Sequence, residues 1–97
     1  MTSLMKTLRQ EMIAMLESDQ MSARDLSGRL GIKEKDVYIH LGHITRTVAA
    51  QGKAVSIRPS RCINCDYLFK NRRRFTRPSR CPRCKSTRLE FPLFRIR

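Results

Sequence analysis

Two Cys-x-x-Cys units, Cys62-Ile63-Asn64-Cys65 and Cys81-Pro82-Arg83-Cys84, stand fifteen residues apart, and they constrain this chain more than any other feature. A tight turn of this kind presents two thiolates on one side. Two such turns facing each other complete a tetrahedron of sulfur around one metal ion. Four thiolates leave no open coordination position, so the expected site is structural rather than catalytic. The competing use of such pairs, as redox dithiols, needs a βαβ setting that the flanking sequence lacks.

The size of the chain makes a metal an energetic need as well as a spacing match. With 97 residues it has the length of one ordinary domain. A half of it would hold only a marginal apolar core and would need a staple. The cysteine-bearing half has few large apolar residues, mainly Ile63, Leu68, Phe69, Phe75, Leu89, Phe91, Leu93, Phe94 and Ile96. A structural zinc contributes roughly 10–16 kcal/mol of apparent binding free energy, which becomes folding free energy. Disulfides are the other use of four cysteines. The N-terminal ten residues lack the apolar core of a secretion signal, and no run nears the ~18 apolar residues of a membrane span. A cytoplasmic, reducing location and no membrane partner are therefore expected, which favours metal.

The formal net charge of +13 implies a polyanionic partner, and its distribution says which part meets it. Residues 1–57 carry eight Lys/Arg against six Asp/Glu, a net of +2; residues 58–97 carry thirteen against two, a net of +11. Four thiolates around a dication lower the second figure to +9. Between the knuckles, residues 70–80 hold six cations and no acid. From this run Arg72, Arg73, Arg74 and Arg77 are expected to lie along a phosphate backbone, adding affinity without reading sequence.

The first half has helical periodicity. Leu4, Met5, Leu8, Met12, Met15 and Leu16 predict an amphipathic helix from about Ser3 to Glu17. Ser22 with Asp25 forms a capping box, flanked by Met21 and Leu26 as a hydrophobic staple, and Gly31 closes this second helix. A third helix, from about Lys33 to Ala50, buries Val37, Leu41, Ile44 and Val48 in one stripe and ends before Gly52. Its opposite face carries Lys35, Ile39, Gly42, His43 and Arg46, with Tyr38 and Thr45 at one edge of the core stripe. His40 falls beside the core and has no ligand-spaced partner, and neither has His43. After Gly52, Lys53 to Arg58 predicts a short strand whose partner is the terminal Leu93 to Ile96. Strand-like pieces are also expected at Tyr67–Phe69, Arg74–Thr76 and Arg88–Phe91.

Two helices joined by a Gly turn, after a longer helix and before a strand, outline a winged helix-turn-helix. Residues 22–41 resemble the helix-turn-helix core of prokaryotic winged-helix repressors, through Ser22-Ala23-Arg24-Asp25-Leu26, Leu30-Gly31-Ile32 and Val37-Tyr38-Ile39-His40-Leu41. In this reading the third helix lies in a major groove, with Lys35, Tyr38, His43 and Arg46 as base or phosphate contacts and Lys53 as a further one.

Taken whole, the chain resembles a small, largely archaeal family of predicted transcriptional regulators that join a winged helix to a rubredoxin-like zinc ribbon. The order of domains, both knuckles, Tyr67 and the strand after Pro92 carry the resemblance. It implies a metal held by Cys62, Cys65, Cys81 and Cys84, and DNA binding as the activity. The expected fold class is α+β, with a winged helix-turn-helix over residues 1–58 and a Cys₄ ribbon over 59–97 whose last strand returns toward the wing. Rubredoxin knuckles hold iron, but their spacing is far longer and those proteins are usually acidic, so zinc is preferred. Double-stranded DNA is the expected partner, with a homodimer on paired half-sites as a further possibility. An RNA- or ribosome-associated ribbon and a protein-interaction subunit stay open as alternatives. No nucleophile–base pair, phosphate loop or paired carboxylates suggest an enzyme.

Overall fold

A computed structural model describes residues 7–70 and 74–97. Three helices come first, α1 (Leu8–Ser18), α2 (Ala23–Leu30) and α3 (Glu34–Ala49), followed by two strands, β1 (Val55–Arg58) and β2 (Leu93–Ile96). Each helix end has a local cause. Thr7 caps α1 through a reciprocal box with Gln10, at 3.2 and 2.9 Å, which the sequence reading overlooked. The expected Ser22–Asp25 box is present on α2, at 3.1 and 3.0 Å. Gly31 ends α2 at φ 68°, a left-handed conformation that a Cβ would strain. The Ser27 carbonyl there accepts from the amides of Gly31 and Ile32, which turns the chain directly into α3. Lys33 gives α3 no side-chain cap; Glu34 and Asp36 in its first turn complement the helix dipole instead.

The helices bury Met12, Leu16, Leu26, Val37, Leu41, Ile44 and Val48 completely. At about 1.5–3 kcal/mol for each large apolar side chain, this cluster is the main source of stability. Its largest member comes from the other end of the chain. Phe94 is fully buried among these residues, with Ile96 beside it. The reason is the sheet. β1 and β2 pair antiparallel, with Val55 opposite Ile96 and Ile57 opposite Phe94, so those four side chains turn inward. Ser56, Arg58, Leu93 and Arg95 therefore share the outer face. On its other edge β2 exchanges two backbone hydrogen bonds with Met21, at 2.9 and 2.8 Å.

Residues 59–92 thus form an insertion between the two strands of one sheet. Within it the three expected strands do not form. Arg61 bridges Leu68 and Cys62 bridges Leu89 as single pairs, and Phe75 and Thr76 lie in a bend. The segment at Ser60–Ile63 bonds Tyr67 and Phe69 on one side and Arg88 and Glu90 on the other. Each pairing is cut short because a knuckle turn begins within two or three residues. The insertion also lends side chains to the helical core. Phe75 packs edge-on against Phe94, with ring centroids 5.7 Å apart. The Arg77 guanidinium lies 4.4 Å from the centre of the Phe91 ring, while Arg24 of α2 stands 6.0 Å from it. Among the described residues no helix is long and apolar enough to cross a membrane.

Candidate metal centre and basic surfaces

The two knuckles repeat one backbone pattern. The Cys62 amide donates to the Tyr67 carbonyl and the Asp66 amide to the Cys62 carbonyl; Cys81 with Ser86 and Lys85 with Cys81 do the same, all at 2.9 Å. The residue after each second cysteine, Asp66 and Lys85, takes a positive φ of 65° and 66°. That reversal folds each turn back on itself and aims both thiols of a pair inward. Cys62 and Cys81 are buried, and Cys65 and Cys84 half-buried.

All four Sγ atoms lie within 4.8 Å of one another, and Cys62–Cys84 and Cys65–Cys81 are each 3.6 Å apart. A tetrahedral ion with metal–sulfur bonds of ~2.3 Å needs sulfur edges of about 3.8 Å, so the donor set fits such an ion as it stands. Polar hydrogens are aimed at the sulfurs. The Arg83 and Cys84 amides point to Cys81 Sγ at 3.4 and 3.5 Å, and Asn64 Nδ2 to Cys84 Sγ at 3.4 Å. Donors of this kind stabilise thiolate over thiol. The Asn64 amide, with the Ser86 backbone, brings Cys84 down to about 6. At Cys65 the Tyr67 amide pulls the same way but is outweighed by burial and the three neighbouring thiols, which push it up to about 12. A cation among the sulfurs would offset the mutual repulsion of four thiolates.

The ribbon has little else to hold it. Its own cluster is Cys62, Cys81 and Leu89, with Tyr67 and Phe69 packed edge to face at 5.1 Å. Ile63 and Leu68 are 59% and 43% exposed. Phe75, Phe94 and Ile96, counted with this half from the sequence, belong to the helical cluster.

The fold and the site together define a three-helix domain whose terminal sheet carries a four-cysteine ribbon. Two family models cover most of the chain. Residues 7–56 match the PF0610-like N-terminal domain, and residues 59–97 match the PF0610 rubredoxin-like zinc beta-ribbon domain. The chain belongs to this PF0610-like family. It is similar to the solution NMR structure of protein PF0610 from Pyrococcus furiosus, with a TM-score of 0.77 and 28% identity, covering 93% of this chain and 88% of that one. Among curated proteins no relative matches.

The basic residues singled out from the sequence fall in different settings. Lys35, His43 and Arg46 are exposed on the outer stripe of α3 together with Ile39, which is 58% exposed. Tyr38 sits at the edge of that stripe, half-buried against the helical cluster. Burial, then Glu34 one turn earlier, raises its phenol above the ordinary range, and nearby Arg77 opposes this. Lys53 is tied to Glu17 at 2.6 Å. Arg74 is exposed. Arg77 stacks on Phe91 and donates to the Leu89 carbonyl at 3.4 Å, which fastens the inter-knuckle run to the segment leading into β2. Arg72 and Arg73 lie outside the described residues.

Sequence reasoning missed Arg58, Arg95 and Arg97. The first two lie on the outer sheet face; Arg97, just past β2, continues its two-residue period and exchanges backbone hydrogen bonds with Ala54 at 3.0 Å. Their alternation with Ile57, Phe94 and Ile96 was the available signal. Arg61 has the opposite role. It pairs with both Asp66, at 3.3 Å, and Glu90, at 3.1 Å, the only acids in residues 58–97. Among the described residues the other cations of that half are in no ion pair.

Proposed function

We propose that this protein is a DNA-binding transcriptional regulator of the winged helix-turn-helix kind, with its zinc ribbon set where a wing would be. The observation that carries the reading is the outer stripe of α3. Lys35, His43 and Arg46 surround Gly42 there, free of any ion pair among the described residues, on a helix that follows the Gly31 turn. A helix presented in this way suits a major groove, which displays a distinct donor and acceptor pattern for each base pair. Ile39 on the same stripe is suited to the methyl group of a thymine. The exposed cations of the ribbon supply backbone affinity. Zinc fits the closed thiolate site in a chain of this charge, holding Cys62, Cys65, Cys81 and Cys84 as a structural element with no open position for chemistry.

Gly42 gives a direct probe. A Cβ built there meets nothing within 4 Å among the described residues, so no packing contact of theirs requires a glycine. Gly42→Ala should stabilise α3 by about 1 kcal/mol from helix propensity alone. If the stripe meets DNA closely, the same change weakens binding. A thermal melt paired with a binding titration would show melting temperature and affinity moving in opposite directions; a rise in stability with unchanged affinity counts against the α3 interface.

The broader test is selection of duplexes from a random library by the metal-loaded protein at near-physiological salt. An enriched motif is expected, and a paired motif would give the half-site spacing of a dimer. Binding without enrichment would instead favour the RNA-associated reading, which draws support from the concentration of charge in the ribbon rather than on α3.

A further inference from the structure

We propose that the outer face of the β1–β2 sheet is a second phosphodiester-binding surface, on which Arg58, Arg95 and Arg97 hold the backbone of duplex DNA. The inference rests on the DNA-binding reading above and extends its footprint to residues outside α3 and the inter-knuckle run. Strand parity supplies the first argument. With Val55, Ile57, Phe94 and Ile96 turned into the core, Arg58, Arg95 and Arg97 must point outward. Arg95 and Arg97, two residues apart on one face, have backbones ~6.7 Å apart, comparable with the step between successive phosphates of a nucleic acid strand. Arg58 lies diagonally across from Arg95 on the paired strand.

The second argument is chemical. These arginines line a groove of about 280 Å³ with Gln20, Ser56, Ile57 and Leu93, and among the described residues no acidic side chain borders it. None of the three is in an ion pair among the described residues. A planar guanidinium fork suits phosphate oxygens, and here each stands on backbone already fixed by the sheet or its last hydrogen bonds. Arg58 and Leu93 also border a neighbouring cleft of about 350 Å³ that reaches Ser22 and Phe91. Phe91 is the ring flanked by Arg24 and Arg77, so positive charge continues past the groove. The one acid on that cleft, Glu90, is already bound by Arg61. Such a surface is complementary to a polyanion.

The salt dependence of binding tests this. The 97-residue, metal-loaded chain is titrated by fluorescence anisotropy onto a duplex over a range of salt concentrations, as wild type, as Arg97→Gln and as the triple Arg58→Gln/Arg95→Gln/Arg97→Gln. With a slope of about −0.9 per phosphate contact, the triple variant should lose about 2.7 and the single variant about 0.9 from the steepness of log K against log salt. Sequence preference should stay as in wild type. A wild type that binds with a slope unchanged in both variants overturns this surface and leaves the α3 reading standing. A wild type that binds no duplex overturns both.

Discussion

Phe94→Ala is expected to unfold much of the helical domain, although it is the fourth residue from the C-terminal end and lies beyond the ribbon. Phe94 is the largest of the fully buried side chains and meets α1, α2 and α3 residues in one cluster. Truncating a buried Phe to Ala costs about 3–5 kcal/mol, from lost transfer free energy and the cavity left behind. A chain of this size is stable by only about 5–15 kcal/mol, so the loss is a large share of the total. Urea unfolding followed by the far-ultraviolet helical signal measures it, since all three helices lie before residue 50. Phe91→Ala serves as the comparison, because Phe91 is only half-buried and should cost less. An unchanged midpoint for Phe94→Ala would mean that β2 does not complete the helical core.

That dependence of the first half on the last strand marks where the sequence stopped being legible. The helices could be read because their signals are local: the Ser22–Asp25 box, the Gly31 turn and the stripe of Val37, Leu41, Ile44 and Val48 each lie within a few residues. The metal site could be read for the same reason, since each knuckle carries its own turn. Residues 67–69, 74–76 and 88–91 were misread as strands because their composition suits a strand, while their neighbours in space are fixed by the knuckles. The owner of Phe75 and Phe94 depends on contacts across dozens of residues, which periodicity does not encode. The roles of Arg77, stacked on Phe91, and of Lys53, tied to Glu17, were hidden for the same reason; both were grouped with free cations from charge alone.

Because the ribbon is inserted between β1 and β2, withdrawing its metal should be felt in the helices as well as at the site. Cys62→Ser, or a strong chelator, is expected to unfold residues 59–92, whose own core is little more than Leu89 and the cysteines. The folded ribbon holds Arg58 and Leu93 side by side. Once it unfolds, β2 must find β1 across a flexible loop of that length, at a cost of about 3 kcal/mol in closure entropy. At about 4–8 °C for each kcal/mol in a domain of this size, the helical melting temperature should fall by roughly 12–24 °C. Chelator added to Cys62→Ser should lower it no further, since the two changes remove the same element. Acid should act in the same direction. The metal-bound state needs all four thiols deprotonated, and in its absence Cys65 keeps its proton up to about 12, so metal affinity falls as pH falls. Metal content and helical melting measured on the same samples decide the matter. If the ribbon's signals collapse on chelation while the helices melt as before, β2 holds its place without the ribbon and the two halves are independent. If both fall together, metal occupancy controls how firmly α3 is held, through Phe94 and the sheet.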